Sequence, residues 1–201
     1  MYPPNIRDFI KIFSKLPGIG PKSAERVAFY ILSQSFEFAQ QLATSIVAIK
    51  RKTKKCSLCG NIDITDPCSI CTDPKRDKTK ICVVESPLDI YLIENTSIYN
   101  GIYHSLEGLI SPLSGIKPED LKIKELIKRI TENKVIEVIF ALSATPEGDT
   151  TILYIKDLFK NSHIKFTTLA RGIPVGTGLQ YAGSKSLEEA FKGREEVKTN
   201  V

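Results

Sequence analysis

"LPGIGPKSAERVAFYIL" (residues 16–32) places Pro17, Gly18, Gly20 and Pro21 within five positions and then runs into a helical pattern with Lys22 at its start. Upstream, Ile6, Phe9, Ile10, Phe13 and Leu16 recur at the spacing of one helix face, and downstream Ala24, Val27, Ala28, Ile31 and Leu32 do the same. The spacing therefore predicts two short helices joined by a tight hairpin. Glycines at 18 and 20 permit positive φ and let another molecule approach the backbone, while Pro21 suits a first helical turn, where a missing N–H costs nothing. The second helix starts at about Pro21 to Ser23. Its positive dipole end, its unpaired N–H groups and Lys22 then converge on one spot, as a phosphate oxygen requires. Contacts of this kind hold a sugar-phosphate backbone without reading its bases.

All positions of a helix-hairpin-helix pattern are filled, whereas an ordinary two-helix turn needs only one capping glycine. The charge distribution agrees. The chain of 201 residues has a net charge of +5. Residues 1–55 hold ten Lys and Arg against Asp8, Glu25 and Glu37, a surplus of seven, and the remainder holds 18 basic against 20 acidic residues. A basic amino-terminal module on a near-neutral body points to a polyanion gripped from one end; on charge alone a solvated helix face reads equally well. A third helical pattern (Phe38, Leu42, Ile46, Ile49) closes in "KRKTKK", residues 50–55. That run extends a phosphate track or simply complements a helix C-terminus.

Next comes "CSLCGNIDITDPCSIC" (56–71), in which two Cys-x-x-Cys pairs, Cys56/Cys59 and Cys68/Cys71, are separated by eight residues. Two such knuckles supply four thiolates to a tetrahedral cation, and zinc suits that donor set best. A disulfide would need an oxidising compartment, and a redox pair would need only one Cys-x-x-Cys. The motif leaves no open coordination position, so the expected Zn²⁺ is structural, stabilising a segment too short to own a core. Cys82 lies outside the spacing, in the apolar run "ICVVE", and reads as a buried strand thiol. The chain has no run of about 18 apolar residues, and "MYPPNIRDFI" lacks the apolar stretch of a signal peptide, which predicts a soluble, cytoplasmic protein with no membrane partner.

From Lys80 onward short β-branched runs, "ICVVE" (81–85), "VIEVIFAL" (135–142) and "IKFTTLA" (164–170), alternate with helical patterns at Leu88–Glu94, Leu121–Glu132 and Thr151–Lys160. This rhythm predicts a doubly wound α/β unit with a mainly parallel sheet, whose chemistry sits at the carboxyl ends of the strands. Glu85 closes the first strand, and Glu147 and Asp149 flank Gly148 in the loop after the second. Three carboxylates converging there would hold Mg²⁺; equally, Glu147 and Asp149 are acids that suit the start of the next helix. His104 reads as a hydrogen-bonded turn residue, because no cysteine or carboxylate stands at ligand spacing from it.

The order of these pieces resembles the RecR family of bacterial recombination mediators, whose third module has the topoisomerase-primase (TOPRIM) fold. The likeness spans nearly the whole chain. It is carried by "LPGIGPKSAERVAFYIL", the four cysteines, "ICVVESPLDI", "YHSLEGLISPLSGIKPEDL" (103–121), "TPEGDTT" and "ARGIPVG" (170–176). The expected architecture is an α/β multi-module chain: a helix-hairpin-helix module (1–55), a zinc knuckle (56–72), a TOPRIM-like domain (78–172) and a C-terminal helical segment (173–201). The resemblance implies a non-enzymatic DNA-binding protein associated with the nucleoid, binding single- and double-stranded DNA without sequence preference. It further implies homo-oligomers, dimers or ring-like tetramers, that work with RecO, and in many bacteria RecF, to load RecA in recombinational repair.

Carried onto this sequence, the DNA-contacting set is Gly18, Gly20, Lys22 and Arg26, with Lys11 and Lys15 beside them. The strand-end position of Glu85, Glu147 and Asp149 leads us to expect a docking face for RecO there, with Mg²⁺ binding as the alternative use of the same acids. TOPRIM enzymes pair the strand-end glutamate with Asp-x-Asp, whereas Glu147-Gly148-Asp149 stands here. Near the carboxyl end the family often reads Gly-Gly-Glu-Leu-Glu-Tyr, but "GTGLQY" puts Gly178 and Gln180 in place of the acids. A Mg²⁺-dependent phosphoryl-transfer enzyme built on the three carboxylates is the competing reading, and a zinc-containing adaptor without DNA is a third. The enzyme reading lacks an added module that would position a nucleophile.

Overall fold

The computed structural model describes residues 2–196. Two compact units divide the chain after Thr53. The first contains α1 (Pro4–Phe13), α2 (Pro21–Ser33) and α3 (Phe36–Lys52). Both α1 and α2 begin on a proline in their first turn, where the ring's fixed φ is already helical. Ala24 and Ala28 are the buried residues of α2, and α1 packs against α2; side chains this small let the two helices approach closely. Helix α3 starts on Ser35, whose hydroxyl accepts from the Phe38 amide at 3.3 Å, and it ends in Lys50, Arg51 and Lys52 near its negative pole.

The second unit opens with a small antiparallel pair, β1 (Lys54–Lys55) and β2 (Ile62–Asp63), followed by one helical turn, α4 (Ser69–Thr72). Then come β3 (Asp77–Val84), α5 (Pro87–Glu94), β4 (Gly101–Ser105), α6 (Ile123–Glu132), β5 (Glu137–Ala141), α7 (Pro146–Leu158), β6 (Lys165–Thr168) and α8 (Ser184–Lys192). The four longer strands form one parallel sheet in the order β4-β3-β5-β6. Strand β3 explains its apolar run. Ile81 and Val83 enter the core with Leu126, Ile130, Val138, Phe140 and Ile155, while Cys82 and Val84 point to the opposite face with Ile90 and Tyr103. A strand buried on both faces cannot alternate polar with apolar residues. Burial also pushes the Cys82 thiol up to about 12, as expected of an inert strand cysteine.

The sheet contains one strand that periodicity did not predict. Gly101–Ser105 is β4, buried at all five positions, so His104 lies in a strand and not in a turn. "GIYHS" contains neither an apolar run nor an alternation, and its place in the sheet is decided by the partners around it. Gly101 is required there because a Cβ would meet the Tyr99 ring and the Lys80 carbonyl. Strand β3 also begins earlier than its apolar core, at Asp77, through the half-exposed "DKTK". The chain runs from β3 outward to β4 and then crosses back past β3 to β5 on its other side, so the carboxyl ends of β3 and β5 form the topological switch point. No described helix is long and apolar enough to cross a membrane.

Candidate nucleic-acid interface and metal centre

In the first unit the turn between α1 and α2 is built from one left-handed and one extended glycine. Gly18 has φ +76°, the left-handed region that favours glycine. Gly20 is extended (φ −82°, ψ 172°), which any residue adopts, so the expected positive φ holds at Gly18 alone. A Cβ on Gly20 would also meet nothing within 4 Å. Gly20 is the N-cap of α2, no side chain caps this helix, and its first backbone bond runs from the Ala24 amide to the Gly20 carbonyl at 2.9 Å. The amides of Gly20, Lys22 and Ser23 therefore have no acceptor among the described residues, and all three residues are exposed. Lys22 and Arg26 are exposed beside them, as are Lys11 and Lys15. Bare amides, a positive dipole end and exposed cations are the features that suit an anion.

In the second unit the four knuckle cysteines come together. Their sulfurs all lie within 4.8 Å of one another, with Cys56 to Cys71 at 3.9 Å and Cys59 to Cys68 at 3.5 Å. A tetrahedral cation with metal–sulfur bonds of about 2.3 Å would set its ligands roughly 3.8 Å apart, so this donor set fits a metal ion. Backbone amides already point at the sulfurs: Cys68 N donates to Cys56 Sγ at 3.3 Å and Asn61 N to Cys59 Sγ at 3.4 Å. In the thiol form, the hydrogen bond shared with Cys68 pushes the Cys59 proton's affinity up, followed by that with Cys71 and by burial. Metal binding must therefore displace protons. The Ser105 amide donates to the Cys59 carbonyl at 2.8 Å, Lys55 pairs with Glu107, and the Tyr91 hydroxyl donates to the Ile62 carbonyl. These contacts seat the knuckle against β4 and α5.

The acidic residues stand after the carboxyl ends of β3 and β5 and are not gathered into a comparable cage. Glu85 follows β3 directly, and Ser143 Oγ donates to its Oε2 at 2.7 Å. Helix α7 is capped by Thr145, whose hydroxyl accepts from the Gly148 amide at 3.2 Å. Gly148 has no room for a side chain, since a Cβ would stand 2.0 Å from the Ser143 carbonyl oxygen. That contact explains a glycine between Glu147 and Asp149. Asp149 accepts from Arg171 Nη2 at 2.5 Å, and this hydrogen bond holds its carboxyl below the ordinary range. Among the described residues the four cysteines are the only group of three or more metal-ligating side chains gathered at one point.

Two family profiles cover most of this architecture: one described as "RecR, helix-hairpin-helix" matches residues 6–50, and one described as "Toprim domain" matches residues 79–170. The Recombination protein RecR of Moorella thermoacetica is 47% identical over 196 residues, 98% of either chain. That of Chloroherpeton thalassium is 46% identical over 198 residues, 96% of this chain and 97% of the relative. The chain belongs to the RecR family. The helix-hairpin-helix, the four-cysteine knuckle, the Toprim sheet and the helical C-terminal segment are thus the modules of a RecR-type chain.

Within this RecR fold, two arginines escaped the reading of the sequence. Arg171, noticed only as part of "ARGIPVG", is the partner of Asp149 across 22 residues. Arg129, on the last turn of α6, would pass for a cation complementing a helix end, yet it is buried among Tyr103, His104 and Cys71. No local signal separates either from a surface arginine. His104 is hydrogen-bonded as expected, through Nε2 to the Lys122 carbonyl at 2.7 Å, but as a core residue.

Proposed function

We propose that this RecR-family chain is a non-enzymatic, sequence-independent DNA-binding mediator of recombinational repair. Several copies form a ring-like clamp on single- or double-stranded DNA and, with RecO and RecF, load RecA onto single strands. The observation that carries this reading is the uncapped start of α2, with the Gly20, Lys22 and Ser23 amides free beside exposed Lys22 and Arg26. The naming of close relatives as recombination proteins supports it. A surplus of seven charges per hairpin module gives modest, salt-sensitive affinity, and closure around the strand would retain DNA where charge alone does not. In this division of labour residues 1–55 grip DNA, 56–72 form a knuckle stabilised by structural Zn²⁺, 78–172 present the docking face and 173–201 link neighbouring copies.

Gly20 provides the test. Its backbone is relaxed and nothing crowds it within the chain, so Gly20→Val should leave the melting temperature within a few degrees of wild type. DNA affinity should fall about tenfold or more, since a branched Cβ stands where the sugar-phosphate backbone must approach; tenfold corresponds to about 1.4 kcal/mol. A Gly20→Val variant that binds an oligonucleotide as tightly as wild type would remove the hairpin from the interface.

The acids at the switch point act as the docking face for RecO. Engagement of Asp149 by Arg171 favours this role over Mg²⁺ ligation, because a cation already neutralises one of the three carboxylates. Reversing the charge with Glu147→Lys should weaken RecO binding in a pull-down or titration while DNA binding stays at the wild-type level. RecO affinity indifferent to that substitution would place the docking face elsewhere.

A further inference from the structure

Arg129 is 8% exposed, and among the described residues its guanidinium forms no ion pair with a carboxylate. Its hydrogen bonds run instead to the Tyr103 carbonyl, to His104 Nδ1 at 3.2 Å and to Cys71 Sγ at 3.9 Å. The first of these partners is neutral. The second is neutral too: His104 Nε2 donates to the Lys122 carbonyl, Nδ1 offers a lone pair to Arg129, and burial followed by the Arg129 charge pushes the ring down to about 4. A guanidinium remains protonated in proteins, and a cation taken out of water without an anion is strongly unfavourable. Of its three partners only the Cys71 sulfur can become negative.

The metal site supplies the missing charge. Four thiolates around a divalent cation carry a net charge of about −2. Cys56 and Cys59 receive backbone amides, whereas Cys71 receives the charged end of a helix residue 58 positions away. We infer that Arg129 is the buried counter-ion of the metal-loaded knuckle, a positioning residue that joins metal occupancy to the seating of α6 on the Toprim sheet. The knuckle and α6 then stabilise each other: the metal-bound thiolates compensate the guanidinium, and the guanidinium strengthens the site for its metal. This coupling is independent of whether the hairpin binds DNA.

The test measures zinc affinity of the full chain by competition with a chromogenic chelator, for wild type, Arg129→Met and Arg129→Lys. Loss of an outer hydrogen-bond donor of this kind typically costs about 10- to 100-fold in metal affinity. Arg129→Met should lose affinity in that range while the Co²⁺-substituted protein keeps its tetrathiolate charge-transfer bands, because all four ligands remain. Arg129→Lys should recover part of the loss. Equal zinc affinity in wild type and Arg129→Met would overturn the inference, even with a lower melting temperature, since a purely structural arginine would destabilise metal-bound and metal-free forms alike. Should Arg129→Met fail to fold, hydrogen exchange on the wild type decides. Chelating the zinc should deprotect the α6 amides around Arg129 together with the knuckle, and deprotection confined to residues 54–72 would sink the idea.

Discussion

Cys68→Ser is expected to abolish stoichiometric zinc binding and to unfold the knuckle. Residues 56–71 have almost no apolar interior; Cys56, Cys59 and Cys68 are their buried hydrophobic members. Cys68 is also placed twice over, contributing its own sulfur and donating its amide to Cys56 Sγ at 3.3 Å. Structural zinc supplies about 10–16 kcal/mol of apparent binding free energy in small zinc-binding peptides at neutral pH, comparable with or larger than the whole stability of a domain at about 5–15 kcal/mol. Removing one thiolate should therefore do more than loosen a loop. Zinc analysis after dialysis against a weak chelator should fall from one ion per chain to near zero, and the melting temperature should drop. Cys82→Ser is the control. Cys82 is buried in the opposite-face core of β3 with Val84, Ile90 and Tyr103, so that variant should keep its zinc. Full zinc retention by Cys68→Ser would mean that the four sulfurs do not act as one site.

Lys22→Ala combined with Arg26→Ala carries the second large effect. Both side chains are exposed and neither forms an ion pair among the described residues, so stability should be unaffected. Each phosphate neutralised on duplex DNA contributes about 0.9 to the slope of log affinity against log salt. The double variant should shrink that slope by one to two units, about as expected for two lost contacts, and should weaken binding at about 50 mM salt by roughly tenfold per contact. A parallel series on duplexes of different sequence should show the same loss on each, because phosphate contacts position DNA without reading it. An unchanged slope would mean that these cations face solvent and that the surplus charge of the module serves another purpose.

How much of this was legible beforehand depends on the distance over which each feature is specified. The hairpin is local: apolar spacing on either side of Pro17–Pro21 and the helix-starting Pro21 lie within one stretch, and α1 and α2 form there. The knuckle is equally local, since two Cys-x-x-Cys turns leave the sulfurs few ways to sit, and they converge. Strand β3 announced itself because a strand buried on both faces needs a continuous apolar run, and β5 and β6 did so through short runs rich in β-branched and aromatic residues. Strand β4 did not, since "GIYHS" is held by Arg129, Lys122 and the neighbouring strand, none of which its own residue types name.

Within the acidic loop the identity of the residues was readable and their state was not. Asp149 belongs to an ion pair only because β6 returns the chain to bring Arg171 beside α7. Gly148 stood in the sequence only as the residue between two acids, and the Ser143 carbonyl pressed against it makes it a steric requirement. Gly20 went the other way. Its backbone makes no demand for glycine, which leaves the space in front of it as the feature that matters.

Sequence by itself determined the module order, the helical hairpin with its basic bias and the four-sulfur donor set, because each depends on periodicity or spacing within a few turns of chain. Only the tertiary structure decided which charges are compensated and by what: Asp149 by Arg171, and Arg129 by no carboxylate in the described chain. The physical reason is that a charge's surroundings are set by burial and by partners remote in sequence, and neither is written in the residues beside it.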